Sequence, residues 1–127
     1  MPDNNLFLVF TNPVRGREAE FDDWYEHTHV REVLAVPGVV SAQRYEVAPM
    51  ETPELEGAPS PAPPEHGFLV AYGLDRDANE VMAEFLDRMM SGAMELSDAL
   101  DLGSVAMSVW SPIGDQKFAP ATPHPSA

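Results

Sequence analysis

"FDDWYEHTHVREVLAVPGVVSAQRY", residues 21–45, decides the fold because the spacing of its apolar residues changes at Pro37. Before this proline the spacing is that of a helix, and after it the spacing is that of a strand. The first part has the spacing of an amphipathic helix, with acidic residues near its start, where the helix dipole favours them. Pro37 disfavours helical geometry in the residue before it, and Gly38 supplies a turn. From Val39 to Val47 the side chains alternate between two faces, which is typical of a strand. The stretch therefore predicts a helix that ends near Val36 and leads directly into a strand.

The rest of the chain repeats this order. Apolar runs closed by turn residues predict strands, and apolar residues spaced three and four apart predict a second helix. The predicted elements are a strand (5–13), a helix (14–36), a strand (39–48), a strand (67–74), a helix (75–90), a short broken helical segment (91–102) and a strand (103–114). Two such β-α-β units pack as a four-stranded antiparallel sheet with both helices on one face, so the predicted class is α+β, ferredoxin-like βαββαβ.

One domain is predicted over residues 1–114. Residues 49–66 are proline-rich and acidic with no period, so we predict a long inserted loop there. Residues 115–127 are rich in proline and alanine and are predicted to form a flexible C-terminal tail. The first and third strands are apolar on both sides, which is unusual for a sheet with one face in water. We therefore predict a homodimer in which the sheet faces meet.

The charge balance excludes two classes of partner. The chain has 21 acidic and 7 basic residues, a net charge of −14, which repels phosphate backbones and anionic membrane surfaces. No apolar run approaches the ~20 residues that cross a bilayer, and the start lacks the basic region of a secretory signal. With no cysteine, a disulfide framework and a thiolate nucleophile are excluded. A cytoplasmic location and a small-molecule substrate are expected.

The first helix carries the residues that are best suited to acid/base catalysis. At about 100° per residue, Tyr25 and His29 lie on one side with Glu32, whereas His27 points away towards solvent. An imidazole takes or delivers protons near neutral pH, so His29 is a candidate general base. Tyr25 is a candidate donor to a developing oxyanion, and Glu32 a candidate partner that fixes the imidazole tautomer. The alternative is a histidine with a structural role at the rim of the core.

Other chemistries have less support in the sequence. His27 and His29 diverge on a helix, unlike the i,i+4 pair of a zinc helix, and no third ligand accompanies His29 and Glu32, so no metal site is predicted. No phosphate-binding glycine loop or G-x-S-x-G motif appears, and no cofactor is expected. Arg44 is a candidate for holding a substrate carboxylate, or it pairs with a neighbouring acid. Candidates for the pocket wall are Phe21, Trp24, Arg44 and Trp110.

The segment "FTNPVRGREAEFDDWYEHTHVREVLAVPGVVSAQRYEV", residues 10–47, resembles the dimeric α+β-barrel superfamily, in particular small bacterial EthD-like proteins. The resemblance covers the first strand to the second strand closely and the second half loosely. It implies a cavity between the sheet and the helices, with the family histidine at His29 and the aromatic pair at Trp24 and Tyr25. The proline that usually follows this histidine is replaced by Arg31, which leaves the substrate open.

These observations lead to one function and several alternatives. The leading hypothesis is a cofactor-independent acid/base enzyme, of cyclase, isomerase or lyase type, for a small aromatic, polyketide-like or lactone substrate. A cofactor-free monooxygenase on the same scaffold is the first alternative, and a non-catalytic small-molecule-binding or accessory protein is the second. Haem binding through His29 is a weaker fourth.

Overall fold

The computed structural model describes residues 4–51, 56–57 and 62–121. Four strands form one sheet in the order β2-β3-β1-β4, and each neighbouring pair is antiparallel. The elements are β1 (Leu6–Thr11), α1 (Glu18–Trp24), a π-helical turn (Tyr25–His29), α2 (Val30–Leu34), β2 (Val39–Glu46), β3 (Phe68–Leu74), α3 (Ala78–Met90), a 3₁₀ turn (Leu102–Ser104) and β4 (Ala106–Trp110). This is the predicted α+β, ferredoxin-like arrangement.

The first helix is shorter and less regular than predicted. It begins at Glu18 rather than residue 14, because Gly16 has a φ of +85° and the Arg17 N–H closes a turn on the Val14 carbonyl. Its middle is a π-helical turn, which divides it into α1 and α2. It ends before the predicted Pro37-Gly38 turn. Gly38 has a φ of +99°, and a Cβ there would lie 2.6 Å from the Val81 side chain, so this turn both requires glycine and packs directly on α3.

The predicted helical segment after α3 is wrong. Residues 91–101 form turns and irregular backbone, and only the 3₁₀ turn at Leu102–Ser104 follows. The side chains of Ser91 and Ser97 accept hydrogen bonds from the N–H groups of Ala93 and Ala99, two residues ahead. Such local bonds compete with helix formation. The segment is instead held against the end of β1 by the bridge between Pro13 and Leu100.

The helices cover one face of the sheet. Phe7 on β1 stacks on Tyr72 of β3 and meets Phe85 of α3 edge to face, each at a centroid distance of 5.8 Å. Phe21 of α1 and Val81 of α3 are fully buried in the same core. This face of the sheet is therefore the dry interior against which the first helix is fixed.

The other face of the sheet is open in the single chain. Residues paired directly across antiparallel strands share a face, and Leu6 pairs with Trp110, while Tyr45 pairs with Leu69. Trp110 is 58% exposed, Tyr45 54% and Leu6 42%. The two-sided apolar character predicted for β1 is thus present, with one side under the helices and the other in solvent.

Residues 115–121 contain no helix or strand, and neither do the described parts of the loop over residues 49–66. The remainder of that loop (52–55 and 58–61) and residues 122–127, which include His124, lie outside the described residues. The boundaries of the domain, the loop and the tail therefore stay predictions. In the described part of the chain, no helix is long and apolar enough to cross a membrane.

Candidate active site

The π-helical turn places two aromatic rings on the same side of the first helix. The Val30 N–H bonds to the Tyr25 carbonyl, five residues earlier, instead of to the carbonyl four residues earlier. In a regular α-helix, residues five apart point about 140° away from each other. Here Trp24 and His29 are five apart, and their rings stack at 4.5 Å with an interplanar angle of 21°. The wider turn therefore creates the Trp24–His29 contact.

The imidazole of His29 is enclosed by aromatic rings. Tyr25 meets it edge to face at 5.3 Å, and Trp24 meets Tyr25 at 4.9 Å. The His29 side chain is only 6% exposed. This burial lowers the pKa of His29 to about 4, so the ring is neutral at pH 7 and holds a free lone pair.

His29 faces the Glu32 carboxylate, whose side chain is 29% exposed and whose Oε1 is buried. Its Nδ1 lies 3.9 Å from Oε1 of Glu32, and within the described residues neither atom has a hydrogen-bond partner. That distance is too long for a hydrogen bond, but a shift of about 1 Å would make one. The pKa of Glu32 is raised by burial and, secondarily, by the nearby charge of Glu95. His29 is thus a candidate base and Glu32 a candidate group to orient it, without a hydrogen bond between them in this structure.

A cleft of about 440 Å³ opens beside this pair. One wall belongs to the first helix and the other to the irregular segment after α3. Its lining includes Trp24, Thr28, Glu32, Glu95, Leu96 and Ser97. Because Trp24 and Glu32 both contact His29 and both line the cleft, a ligand in the cleft lies one side chain from the imidazole.

The phenol of Tyr25, whose ring meets the imidazole edge to face, is a hydrogen-bond donor. Burial raises the pKa of Tyr25, with the Arg44 guanidinium opposing the shift, so the phenol keeps its proton at pH 7. Two more buried hydroxyls, those of Thr11 and Tyr72, have no hydrogen-bond partner among the described residues. A buried hydroxyl without a hydrogen bond costs about 1–3 kcal/mol. The hydroxyls on the helix-covered side of the sheet are therefore available to bind a ligand.

The structure brings together four of the residues predicted for the site and separates three. Trp24, Tyr25, His29 and Glu32 form one cluster. Phe21 is fully buried and packs on Tyr25 and Phe68, without reaching the cleft. Trp110 lies on the open sheet face, where its Nε1–H donates to the Ser108 hydroxyl at 2.7 Å.

Arg44 is the third separated residue. Its guanidinium pairs with Asp22 at 2.9 Å and Glu26 at 3.0 Å, and it lies over the Tyr25 ring at 5.3 Å. The alternative that Arg44 pairs with neighbouring acids is therefore the one observed. These pairs tie β2 to the first helix and fix the ring of Tyr25.

A rotation of about 100° per residue predicts the positions of some residues and not of others. His27 is exposed, as predicted, and lies 3.8 Å from Asp23. Val30, directly after the π-helical turn, packs against the core. Glu95 and Ser97 were missed as cleft residues, since no spacing links them to the first helix. Among residues 4–51, 56–57 and 62–121, no cluster of three histidine or acidic side chains is arranged to hold a metal ion.

Comparison with known proteins identifies the scaffold. No protein-family model matches the chain, and no curated protein matches its sequence. Among solved structures, an MhuD variant with two manganese protoporphyrin IX molecules bound per active site matches at 11% identity, with 90% of this chain and 99% of that chain covered and a TM-score of 0.56. A putative monooxygenase from Shewanella loihica PV-4 matches at 16% identity, with 89% and 98% covered and a TM-score of 0.52.

An EthD family protein from Bacillus halodurans C-125 also matches, at 13% identity, with 86% of this chain and 99% of that chain covered and a TM-score of 0.48. Identities this low show the fold alone. The predicted ferredoxin-like α+β fold is confirmed, because this chain shares its fold with the MhuD variant and the Shewanella loihica protein.

Proposed function

We propose that this chain is a cofactor-independent enzyme that removes a proton next to a carbonyl group of a small aromatic, polyketide-like or lactone substrate. Cyclisation, isomerisation or elimination follows from the resulting enolate. His29 acts as the general base, and the phenol of Tyr25 donates a hydrogen bond to the enolate oxygen. Glu32 accepts from Nδ1 of His29 and so directs the lone pair of Nε2 towards the substrate.

One observation carries this proposal: Nδ1 of a neutral, buried imidazole lies 3.9 Å from Oε1 of Glu32 beside a cleft, and neither atom has a hydrogen-bond partner among the described residues. A histidine with a structural role normally uses its ring nitrogens on the backbone or on a side chain. Catalytic hydrogen bonds are often long in the absence of a ligand and shorten when it binds. Once the carboxylate accepts from Nδ1, the basicity of the opposite nitrogen rises, which compensates for the low pKa of the free site.

The charge of the cleft selects the substrate. Glu32 and Glu95 line it, none of its described lining residues is basic, and Arg44 is held by two carboxylates elsewhere. A substrate carboxylate would be repelled, whereas the face of Trp24 favours an aromatic ring. The substrate is therefore neutral and planar at its reacting end.

A cofactor-free monooxygenase shares the first step. Removal of a proton from an electron-rich phenolic substrate gives an anion that reduces oxygen directly, and the same histidine serves as the base. The putative monooxygenase among the structural neighbours supports this alternative at the level of the scaffold. Oxygen consumption separates it from the isomerase or cyclase, which consumes none. A non-catalytic binding protein would bind the same ligands without turnover.

Haem does not fit this cleft. MhuD holds manganese porphyrin on the same fold. The propionates of a porphyrin need basic or hydrogen-bond-donating partners, but the cleft here carries the carboxylates of Glu32 and Glu95. We therefore assign no role to a porphyrin.

The proposed enzyme is a homodimer joined through its open sheet faces. Leu6, Tyr45 and Trp110 are exposed on that face in the single chain, although each has a large apolar surface. Apolar surface of this kind is typical of an interface. The candidate site lies on the opposite face of the sheet, so the dimer leaves both clefts open.

The first experiment measures proton abstraction directly. The chain is incubated in D₂O with a neutral aromatic 1,3-diketone, a neutral lactone and a carboxylated analogue of the diketone, and exchange at the α-carbon is followed by NMR. We expect exchange of the neutral diketone or lactone, at least about 100-fold slower exchange in His29→Gln, and no activity on the carboxylated analogue. His27→Gln, two residues away and exposed, is the matched control and keeps full activity.

Exchange that is equal in both histidine variants would refute His29 as the base. Binding of the diketone with no exchange in the wild-type chain would replace the enzyme by the binding protein. Oxygen uptake that depends on His29 would favour the monooxygenase.

A further inference from the structure

Residues 111–121, which follow β4, form an arm with two large apolar side chains in solvent. After β4, residues 111–121 contain no helix or strand. Ile113 is fully exposed and Phe118 is 80% exposed. Side chains of this size in water lack the stabilisation that burial against another apolar surface provides. An arm of this composition is therefore suited to packing on another surface.

An apolar cavity of about 490 Å³ is separate from the cleft of the candidate active site and shares no lining residue with it. It is formed where β1 and β2 end and where β3 begins, next to the residues that precede β3. Its apolar lining includes Phe10, Tyr45, Val47, Pro64, Phe68 and Leu69. This volume is within the range of pockets that accept an aromatic group.

The cavity is preformed in the single chain, because one wall is held by several hydrogen bonds. The Asn12 side chain donates to the Glu65 carbonyl at 3.1 Å and accepts from the Gly67 N–H at 2.9 Å. Nε2 of His66 lies 2.6 Å from the Ser104 carbonyl. A preformed wall lowers the ordering cost of whatever binds there.

The charges of the cavity and of the arm are complementary. Glu46 and Glu65 line the cavity together with His66, and none of its described lining residues is a lysine or an arginine. Lys117, the only lysine in the chain, directly precedes Phe118 on the arm. The arm thus presents a cation beside an aromatic ring, and the cavity presents carboxylates beside an apolar floor.

We infer that the arm of one copy docks in this cavity of a second copy, with the Phe118 ring inside and Lys117 near Glu46 and Glu65. The arm leaves the sheet at Trp110, which pairs with Leu6, whereas the cavity lies at Phe10, the other end of β1. The arm also starts from one edge strand, β4, and the cavity borders the other, β2. Docking on its own chain would require the arm to fold back diagonally across the sheet. This inference rests on the proposed homodimer and adds an exchanged segment to it.

The dimer dissociation constant, measured by sedimentation equilibrium, tests the docking. Phe118→Ser is expected to weaken dimerisation at least 10-fold. Met90→Ser is the matched control, because Met90 is 87% exposed on α3, away from the sheet face, and this variant keeps the wild-type constant. Lys117→Glu weakens the dimer, and combining it with Glu46→Lys or Glu65→Lys restores most of the loss.

Isotope-filtered NMR on a mixture of labelled and unlabelled chains identifies which copy the arm contacts. Contacts of Phe118 with Tyr45 or Phe10 between two chains confirm the inference. Such contacts within one chain only, or a dimer whose affinity is the same with Phe118→Ser, overturn it while the sheet-face dimer stands. A wild-type chain that stays monomeric at millimolar concentration overturns the homodimer and the docking together, without touching the role of His29.

Discussion

The two faces of the sheet differ in the kind of group that each leaves without a partner. Under the helices, apolar side chains such as Phe7 are 1% exposed, and four buried polar atoms of the described chain lack a partner: the hydroxyls of Thr11 and Tyr72, Nδ1 of His29 and Oε1 of Glu32. On the open face the unpartnered groups are apolar, among them Leu6 and Trp110. Buried polar groups without partners suit a ligand, whereas exposed apolar groups suit another protein surface.

Our proposals give the two faces of the sheet different roles. The covered face supports the helix whose π-helical turn holds His29 against Trp24, which is the proposed site of catalysis. The open face, with the cavity near His66, is the proposed site of association. Neighbouring residues in sequence often belong to opposite faces, so substitutions of adjacent residues test the division directly.

Phe7 and Leu6 are neighbours on β1 and should differ most in stability. Phe7→Ala removes a ring that packs on Tyr72 and Phe85, and we expect the free energy of unfolding to fall by about 3–5 kcal/mol. Leu6→Ala, on the open face, is expected to cost less than about 1 kcal/mol when measured by urea unfolding at low micromolar concentration.

Repeating the urea measurement at tenfold higher concentration sharpens this contrast. If the open face is an interface, the cost of Leu6→Ala grows with concentration, while the cost of Phe7→Ala does not. Equal costs for both variants at every concentration would show that the two faces are equally buried and would break the comparison.

His29 is buried, whereas His27, two residues away, is exposed. The folded-state pKa of His29 is lowered to about 4 from about 6.5. Between pH 4 and pH 6.5 the imidazole is therefore protonated in the unfolded chain and neutral in the folded chain. Stability is therefore unaffected by this group above about pH 6.5, and falls as the pH decreases from 6.5 towards 4. The loss amounts to about 3 kcal/mol at pH 4.

Urea unfolding between pH 4 and pH 7.5 checks this loss. His29→Asn should remove most of the decrease in stability on acidification, whatever its effect at pH 7, whereas His27→Asn should keep the wild-type slope. An unchanged slope in His29→Asn would mean that the imidazole is solvated, and the site would then have no neutral base at its centre.

Much of this fold could be predicted from the sequence, because it depends on local patterns. The Pro37-Gly38 turn ends the first helix, and the two-residue period of β2 continues from it, as expected. The segment after α3 was predicted wrongly, because its apolar spacing resembles a helix while Ser91 and Ser97 bind the nearby backbone instead. Tertiary contacts and side-chain capping decided that segment.

The candidate site was predictable only where it is local. Tyr25, His29 and Glu32 lie within eight residues, so their proximity follows from any helix. The stacking of Trp24 on His29 requires a π-helical turn, which a fixed rotation per residue does not provide. Glu95 joins the site through the packing of distant segments, and the pairing of Arg44 with Asp22 and Glu26 depends on where β2 passes the helix.

Arg44 and its neighbour Gln43 provide the smallest of the expected contrasts. Arg44 belongs to the covered face, pairs with Asp22 and Glu26, and is 20% exposed, whereas the acids are 66% and 59% exposed. Because the acids are well solvated, we expect Arg44→Met to lower the free energy of unfolding by only about 1 kcal/mol at low salt and by about half of that in 0.5 M NaCl.

Gln43→Met on the open face is the matched control, with a change below about 0.5 kcal/mol that is independent of salt. Urea unfolding at both salt concentrations measures all three chains. A loss in Arg44→Met that does not change with salt would mean that the packing of its side chain on Tyr25 dominates over its charge. In that case the arginine acts as an apolar cover for the phenol, and Arg44→Met should leave the activity of Tyr25 and His29 intact.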